Sequence, residues 1–197
     1  MSKYKKIFEQ NFERIESLMN LYTFIKDEEL KENTKEYRFT DMLRCAVVFM
    51  HSAFEDYYRQ VLIERMTKDY NCAAMQDITL PNSREKKFQV KDLIEYKDKK
   101  VSEILDDAVK EKMQRTTFNN YEDIVSWGKK VGLNFENYSE QSNLNKAIER
   151  RHKIVHESDL DREKGKLTPI APGTIKPWID AYLELIEIID KQIEETE

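Results

Sequence analysis

Two of the chain's three histidines and a tandem pair of arginines fall within nine residues, Glu149-Arg150-Arg151-His152-Lys153-Ile154-Val155-His156-Glu157. These side chains can break a phosphodiester by proton transfer without a metal. An imidazole titrates near pH ~6.5, so it can take the proton of a ribose 2′-hydroxyl or return one to a departing 5′-oxygen. A guanidinium can grip a phosphate through two parallel hydrogen bonds and offset charge on the pentacoordinate transition state. On a helix His152 and His156 lie one turn apart on one face, whereas Arg151 and His156 stand about 140° apart round the axis. Only the long arginine side chain, or a cleft gripping the helix, brings both to one ligand. The same residues admit two other readings. One is a solvated helix whose cations pair with Glu149 and Glu157. The other is a zinc helix, because His152 and His156 have ligand spacing. The zinc reading lacks the intervening glutamate of a metalloprotease and leaves only His51 as a further histidine.

The elements that must hold this cluster are helical. Lys3 to about Lys26 carries Ile7, Phe8, Phe12, Ile15, Leu18, Met19, Tyr22 and Ile25, an apolar stripe of 3.6-residue period. A charged connection runs from Asp27 to Arg38. Thr40 or Asp41 is expected to cap a second helix reaching about Lys68. Its apolar residues cover more than one stripe between Leu43 and Phe54, as suits a central helix, and Cys45 to Met50 reads as buried core. Residues 69–86, with Pro81-Asn82-Ser83, read as a loop. Residues 87–117 read as one or two surface helices with a solvated charged face. Asn119 or Asn120 caps a short helix through Trp127 that ends near Gly132. Ser139 or Ser142 starts the helix that bears the cluster, which stops around Ser158-Asp159. After a hydrophilic stretch, 159–173, Thr174 caps a last helix with Pro177 in its first turn. No strand pattern stands out. The expected fold class is all-α, an antiparallel helical bundle with a four-helix core and additional helices, in a single domain over 1–197.

Composition supports this and removes several function classes. The 197 residues include only four glycines and four prolines, with 36% charged and 40% hydrophobic side chains, a mixture of long salt-bridged helices. No apolar run approaches the ~18 residues of a membrane span. The start leads into an amphipathic helix without a hydrophobic leader, and two cysteines make no disulfide framework, so a reducing cytoplasmic setting is expected. A net charge of −5 argues against a general nucleic-acid binder. The basic spot formed by Lys146, Arg150, Arg151 and Lys153 against Glu149 suits a few phosphates at one site. No P-loop, dinucleotide-binding glycine pattern, paired CxxC or nucleophile elbow is present, so those chemistries find no support.

Arg151-His152-Lys153-Ile154-Val155-His156 resembles the Arg-polar-x-x-x-His signature of the HEPN superfamily of ribonucleases, and Glu157-Ser158-Asp159 looks like the end of that helix in its RiboL-PSP-type members. The run Met50-His51-Ser52-Ala53-Phe54-Glu55-Asp56-Tyr57-Tyr58-Arg59-Gln60-Val61-Leu62 is similar to the family's long second helix. The order of elements, with the signature on a late helix before a closing one, matches too. The resemblance implies a homodimer in which two signature helices face each other across a shared cleft. It also implies a metal-independent endoribonuclease, without cofactor, in a toxin–antitoxin or antiviral system. RNA is then the substrate, and an antitoxin or defence-system protein a possible partner. Carried over residue by residue, Arg151 binds phosphate, His156 is the acid or base and His152 is a polar helper. Arg150 competes for the arginine's role, Lys153 adds positive charge at the substrate, and Glu55 orients the site. The alternative is a non-catalytic HEPN-like module that binds RNA or a protein partner, as an antitoxin or regulatory subunit.

Overall fold

A computed structural model describes residues 1–29, 37–85 and 87–195. The helices are α1 (Lys3–Glu29), α2 (Tyr37–Lys68), α3 (Val101–Arg115), α4 (Tyr121–Lys130), α5 (Gln141–Glu157) and α6 (Pro172–Glu194). Short 3-10 helices cover Ala73–Asp77 and Val90–Tyr96, and the strands β1 (Leu160–Asp161) and β2 (Lys166–Leu167) form one hairpin. The fold is all-α apart from that hairpin. The chain divides into two compact units: Met1–Tyr57, Asn119–Tyr121 and Phe135–Glu197 form the first, and Tyr58–Phe118 with Glu122–Asn134 the second.

Specific contacts fix the helix directions in the first unit. The Ser2 N–H donates to both carboxylate oxygens of Asp190 at 3.3 Å, and Lys5 pairs with Glu187, so α1 begins where α6 ends. Phe8 packs edge-on against Tyr57 while Arg14 lies over Phe49, which makes α1 antiparallel to α2. Ser139 bonds Glu184 at one end of α5, and Arg150 reaches the Pro169 carbonyl at the other, so α5 and α6 are antiparallel. His51 meets Tyr182 and the Tyr57 hydroxyl faces the Ile186 carbonyl, so α2 and α6 run parallel. This is the up-down-up-down pattern of a four-helix bundle. Its core takes Phe8, Ile15 and Tyr22 from α1, Leu43, Met50 and Phe54 from α2, Leu144 and Ile148 from α5, and Ile175, Leu185 and Ile189 from α6. Burying each large apolar side chain contributes about 1.5–3 kcal/mol, so the bundle is a firm scaffold for the polar groups inside it.

The second unit is built on the last turns of α2, with α3 and the part of α4 from Glu122. Tyr58, Leu62, Met66, Val109, Met113, Phe118 and Ile124 are buried there. The Tyr58 hydroxyl donates to the Ile124 carbonyl at 2.6 Å, and its ring meets Phe118 edge-on. Helix α3 is a surface helix with one packed face, on which Ala108, Val109 and Met113 are buried. The 3-10 segment before it keeps Leu93 and Ile94 exposed.

Several local expectations are corrected. Helix α2 starts at Tyr37, not after Thr40, so Thr40 lies inside its first turn, where its hydroxyl accepts a hydrogen bond from Arg44 one turn on. Residues 30–36 of the expected Asp27–Arg38 connection lie outside the described residues. Neither Ser139 nor Ser142 caps α5: Ser139 spends both its N–H and its hydroxyl on Glu184, and the helix starts at Gln141 after Glu140. Helix α6 begins at Pro172, whose fixed φ suits the first helical position, so Thr174 and Pro177 lie inside it. Cys45 is exposed and Phe49 is 42% exposed, since a helix in one layer of a four-helix bundle keeps an outward face. The hairpin within 159–173 was not foreseen. Its turn is held by Asp161, which accepts the backbone N–H groups of Glu163 and Lys164 at 3.1 Å, and by Gly165 at φ +61°.

Candidate active site

Helix α5 ends in two consecutive left-handed residues, Ser158 (φ +53°) and Asp159 (φ +56°), and both N–H groups return to the Lys153 carbonyl. The turn drives the Asp159 side chain into the bundle, where it is 2% exposed. There it binds two guanidinium groups. Arg44 Nε donates to Oδ2 at 2.6 Å and Arg150 donates to the same oxygen at 2.9 Å. Both arginines also donate to the Thr168 carbonyl, and Arg150 adds the Pro169 carbonyl. One Arg150 guanidinium nitrogen is thus engaged with three acceptors of its own chain, tying down the end of α5 and the start of the next segment, while its Nε is shielded and has no hydrogen-bond partner among the described residues.

Arg151, one residue on, faces other surroundings. It is half-buried, its Nε is shielded from solvent, and that nitrogen has no hydrogen-bond partner among the described residues. An unsatisfied buried donor costs roughly 1–3 kcal/mol, more when it is charged, so an acceptor brought to this group has a large margin to gain. The Arg151 charge acts on a buried polar chain. The Tyr182 hydroxyl and His51 Nδ1 are 2.8 Å apart, and His51 Nε2 lies 3.6 Å from Glu55 Oε1. Tyr182, His51 and Glu55 are 1%, 2% and 8% exposed. Burial first, then the Glu55 carboxylate and Tyr138, hold the Tyr182 hydroxyl protonated well above the ordinary phenol range, while the Arg151 charge acts in the opposite sense. A protonated phenol can donate to Nδ1, which leaves the ring proton on Nε2 facing the carboxylate. The arginine's positive field therefore reaches a fixed donor–acceptor chain spanning α2 and α6.

His152 and His156 stand elsewhere on the helix. Both are exposed, with ring centroids 4.5 Å apart, and neither hydrogen-bonds another side chain among the described residues. Val155, 46% exposed, and Leu160, 43% exposed, lie close to them in sequence. Lys153 pairs with Glu149 at 2.8 Å, which lowers the Glu149 carboxyl's pKa and raises that of the lysine. Among the described residues no cluster of three or more His, Cys, Asp or Glu side chains is placed to hold a metal ion. Glu55 belongs to a buried chain on which the Arg151 charge acts, whereas His152 and His156 stand together on the exposed side of α5.

Sequence reasoning named Glu55 but missed His51 and Tyr182 as parts of the site. A signal existed: His51 and Glu55 are one turn apart in a helix, and a tyrosine centred in an apolar stripe needs a partner for its hydroxyl. Neither points to the other across a separation of 131 residues.

A family model for the RiboL-PSP-HEPN domain matches residues 9–195. No curated protein and no solved structure matches the chain. Among the described residues no helix is long and apolar enough to cross a membrane. A match that takes in both the second-helix run and the arginine–histidine segment settles the relationship: the chain belongs to the RiboL-PSP-HEPN family.

Proposed function

We propose that this chain is a metal-independent endoribonuclease whose site is completed by a second copy of itself, acting in a toxin–antitoxin or antiviral defence setting in the cytoplasm. The observation that carries the reading is the contrast between the two adjacent arginines. Arg150 is held through one guanidinium nitrogen by Asp159 and the Thr168 and Pro169 carbonyls, while Arg151 makes no hydrogen bond or ion pair among the described residues; the Nε of each is shielded and without an acceptor. A substrate phosphate is an acceptor of the right charge and geometry. Family membership makes the chain a HEPN-type, RNA-related module, and the phosphate is then that of RNA.

In this reading Arg151 binds the scissile phosphate and offsets charge in the transition state. His156 takes the 2′-hydroxyl proton or protonates the leaving 5′-oxygen, and His152, its ring neighbour, assists as a polar group. Glu55, with His51 and Tyr182, orients the arginine from beneath. Lys153 contributes positive potential at the rim. Because Arg151 turns inward and the histidines outward, the α5 helix of a partner copy has to present its histidines to this arginine. A lone copy fits the second reading, a non-catalytic RNA-binding or protein-interaction module, and the inward–outward split is what favours that reading if no dimer forms.

The test is chemical. Cleavage of single-stranded RNA should persist in EDTA and leave 2′,3′-cyclic phosphate and 5′-hydroxyl ends, and a 2′-deoxy nucleotide at the cut site should block it. Ends bearing 3′-hydroxyl and 5′-phosphate, formed only with added metal, would refute the mechanism and revive zinc at His152 and His156.

A further inference from the structure

The second unit contains a cavity of about 320 Å³ between the 79–84 loop and α3, lined by Thr79, Ser83, Arg84, Glu111, Lys112 and Arg115 among others. That volume is at the small end of ligand pockets, which run roughly 300–1,000 Å³. Its charge is one-sided. Three cations face one carboxylate, and that carboxylate is already engaged: Glu111 pairs with Arg115 and accepts the Asn82 backbone N–H at 2.7 Å. Arg84 and Lys112 are left with no carboxylate partner among the described residues; the Lys112 ammonium lies instead 5.8 Å from the Trp127 ring centroid. The loop is shaped for the task. The Thr79 hydroxyl donates to the Ser83 carbonyl, and Ser83 Oγ accepts the Glu85 N–H, so the Ser83 hydroxyl proton stays available to a ligand.

Two uncompensated cations beside a hydroxyl donor call for a compact anion of about two charges. A phosphate monoester carries about −1.5 to −2 at neutral pH and presents three acceptor oxygens. Its ester carbon leads on to a sugar and base, which the remaining volume can receive. We propose that this cavity is a phosphate-monoester site for a nucleotide, either free or at the end of an RNA. None of its residues lies on α5, so the assignment stands apart from the cleavage reading.

Titration calorimetry on the full chain tests it with AMP, adenosine, inorganic phosphate, and an uncleavable 2′-O-methyl oligonucleotide with or without a 5′-phosphate. AMP should bind where adenosine does not, or the 5′-phosphorylated oligonucleotide should bind more tightly than its 5′-hydroxyl form. The first result identifies a free nucleotide and the second an RNA end. The double variant Arg84→Gln/Lys112→Gln should weaken that binding by about tenfold or more and flatten its salt dependence, with an unchanged melting curve. If the double variant melts early, Arg84→Gln alone carries the test, since that side chain is exposed. Equal binding with and without the phosphate, or a folded variant that binds like the parent, overturns the proposal. RNA cleavage plays no part in the readout, so failure of the nuclease reading leaves this test standing.

Discussion

Arg150 and Arg151 are neighbours of identical chemistry, yet α5 turns them about 100° apart into different tasks. The first completes a two-guanidinium clamp on Asp159; the second makes no hydrogen bond or ion pair among the described residues, and its charge acts on Tyr182. The two alanine variants should therefore fail differently. Arg151→Ala should abolish RNA cleavage while the melting temperature holds. Arg150→Ala should cost about 1–3 kcal/mol of stability, because Asp159 keeps only Arg44, and should retain measurable turnover in the folded fraction. Equal losses of activity at equal stability would remove the distinction. The inner chain makes a second prediction. Tyr182→Phe keeps the packing but deprives His51 Nδ1 of its partner; kcat should fall about tenfold with KM unchanged, since what is lost is the aim of the arginine rather than the hold on RNA. A rise in KM alone, or no change, would deny the chain a positioning role. The sequence offers both arginines, for either register puts one of them near the histidines; the buried Asp159 beyond the helix end, which holds Arg150, is what leaves Arg151 as the proposed phosphate ligand.

At the scale of elements, the helices were legible because four of them repeat apolar residues every three to four positions toward one core. Their caps were not: Thr40 lies inside α2 and bonds Arg44 one turn on, while Ser139 is taken by the distant Glu184. The hairpin escaped notice for a different reason, as two-residue strands are too short to show alternation. The α5 terminus shows how such a junction can be tested. Ser158 holds a left-handed conformation that costs a non-glycine residue roughly 1–2 kcal/mol, part of which glycine's greater unfolded-state entropy offsets. Ser158→Gly should then raise the melting temperature by about 1–2 °C. Asp159→Ala strands two guanidinium groups that are nearly or largely buried and should destabilise by roughly 3–5 kcal/mol. Thermal melts of the two variants that moved in the same direction would contradict this account of the junction.

For the molecule as a whole, the proposed function calls for a second copy. One chain offers a half-buried arginine and an exposed pair of histidines with Val155 exposed beside them, and on a single helix only the arginine's length could bring both to one phosphate. In a two-fold dimer with the α5 helices facing each other, the arginine of each copy meets the histidines of the other, giving two equivalent sites. Mixing variants tests this directly. Arg151→Ala retains its histidines and His156→Ala retains its arginine, so each homodimer lacks an essential group at both sites. A mixed dimer combines one site missing both groups with one that is intact. Random exchange of equal amounts makes half the dimers mixed, each with one working site of two, so about a quarter of the parent's activity should return. Light scattering should show dimers for the parent and both variants, and labelled subunits should confirm exchange. Dimers that exchange without any recovery would place arginine and histidine in the same copy, and an active monomer would dispense with the partner altogether.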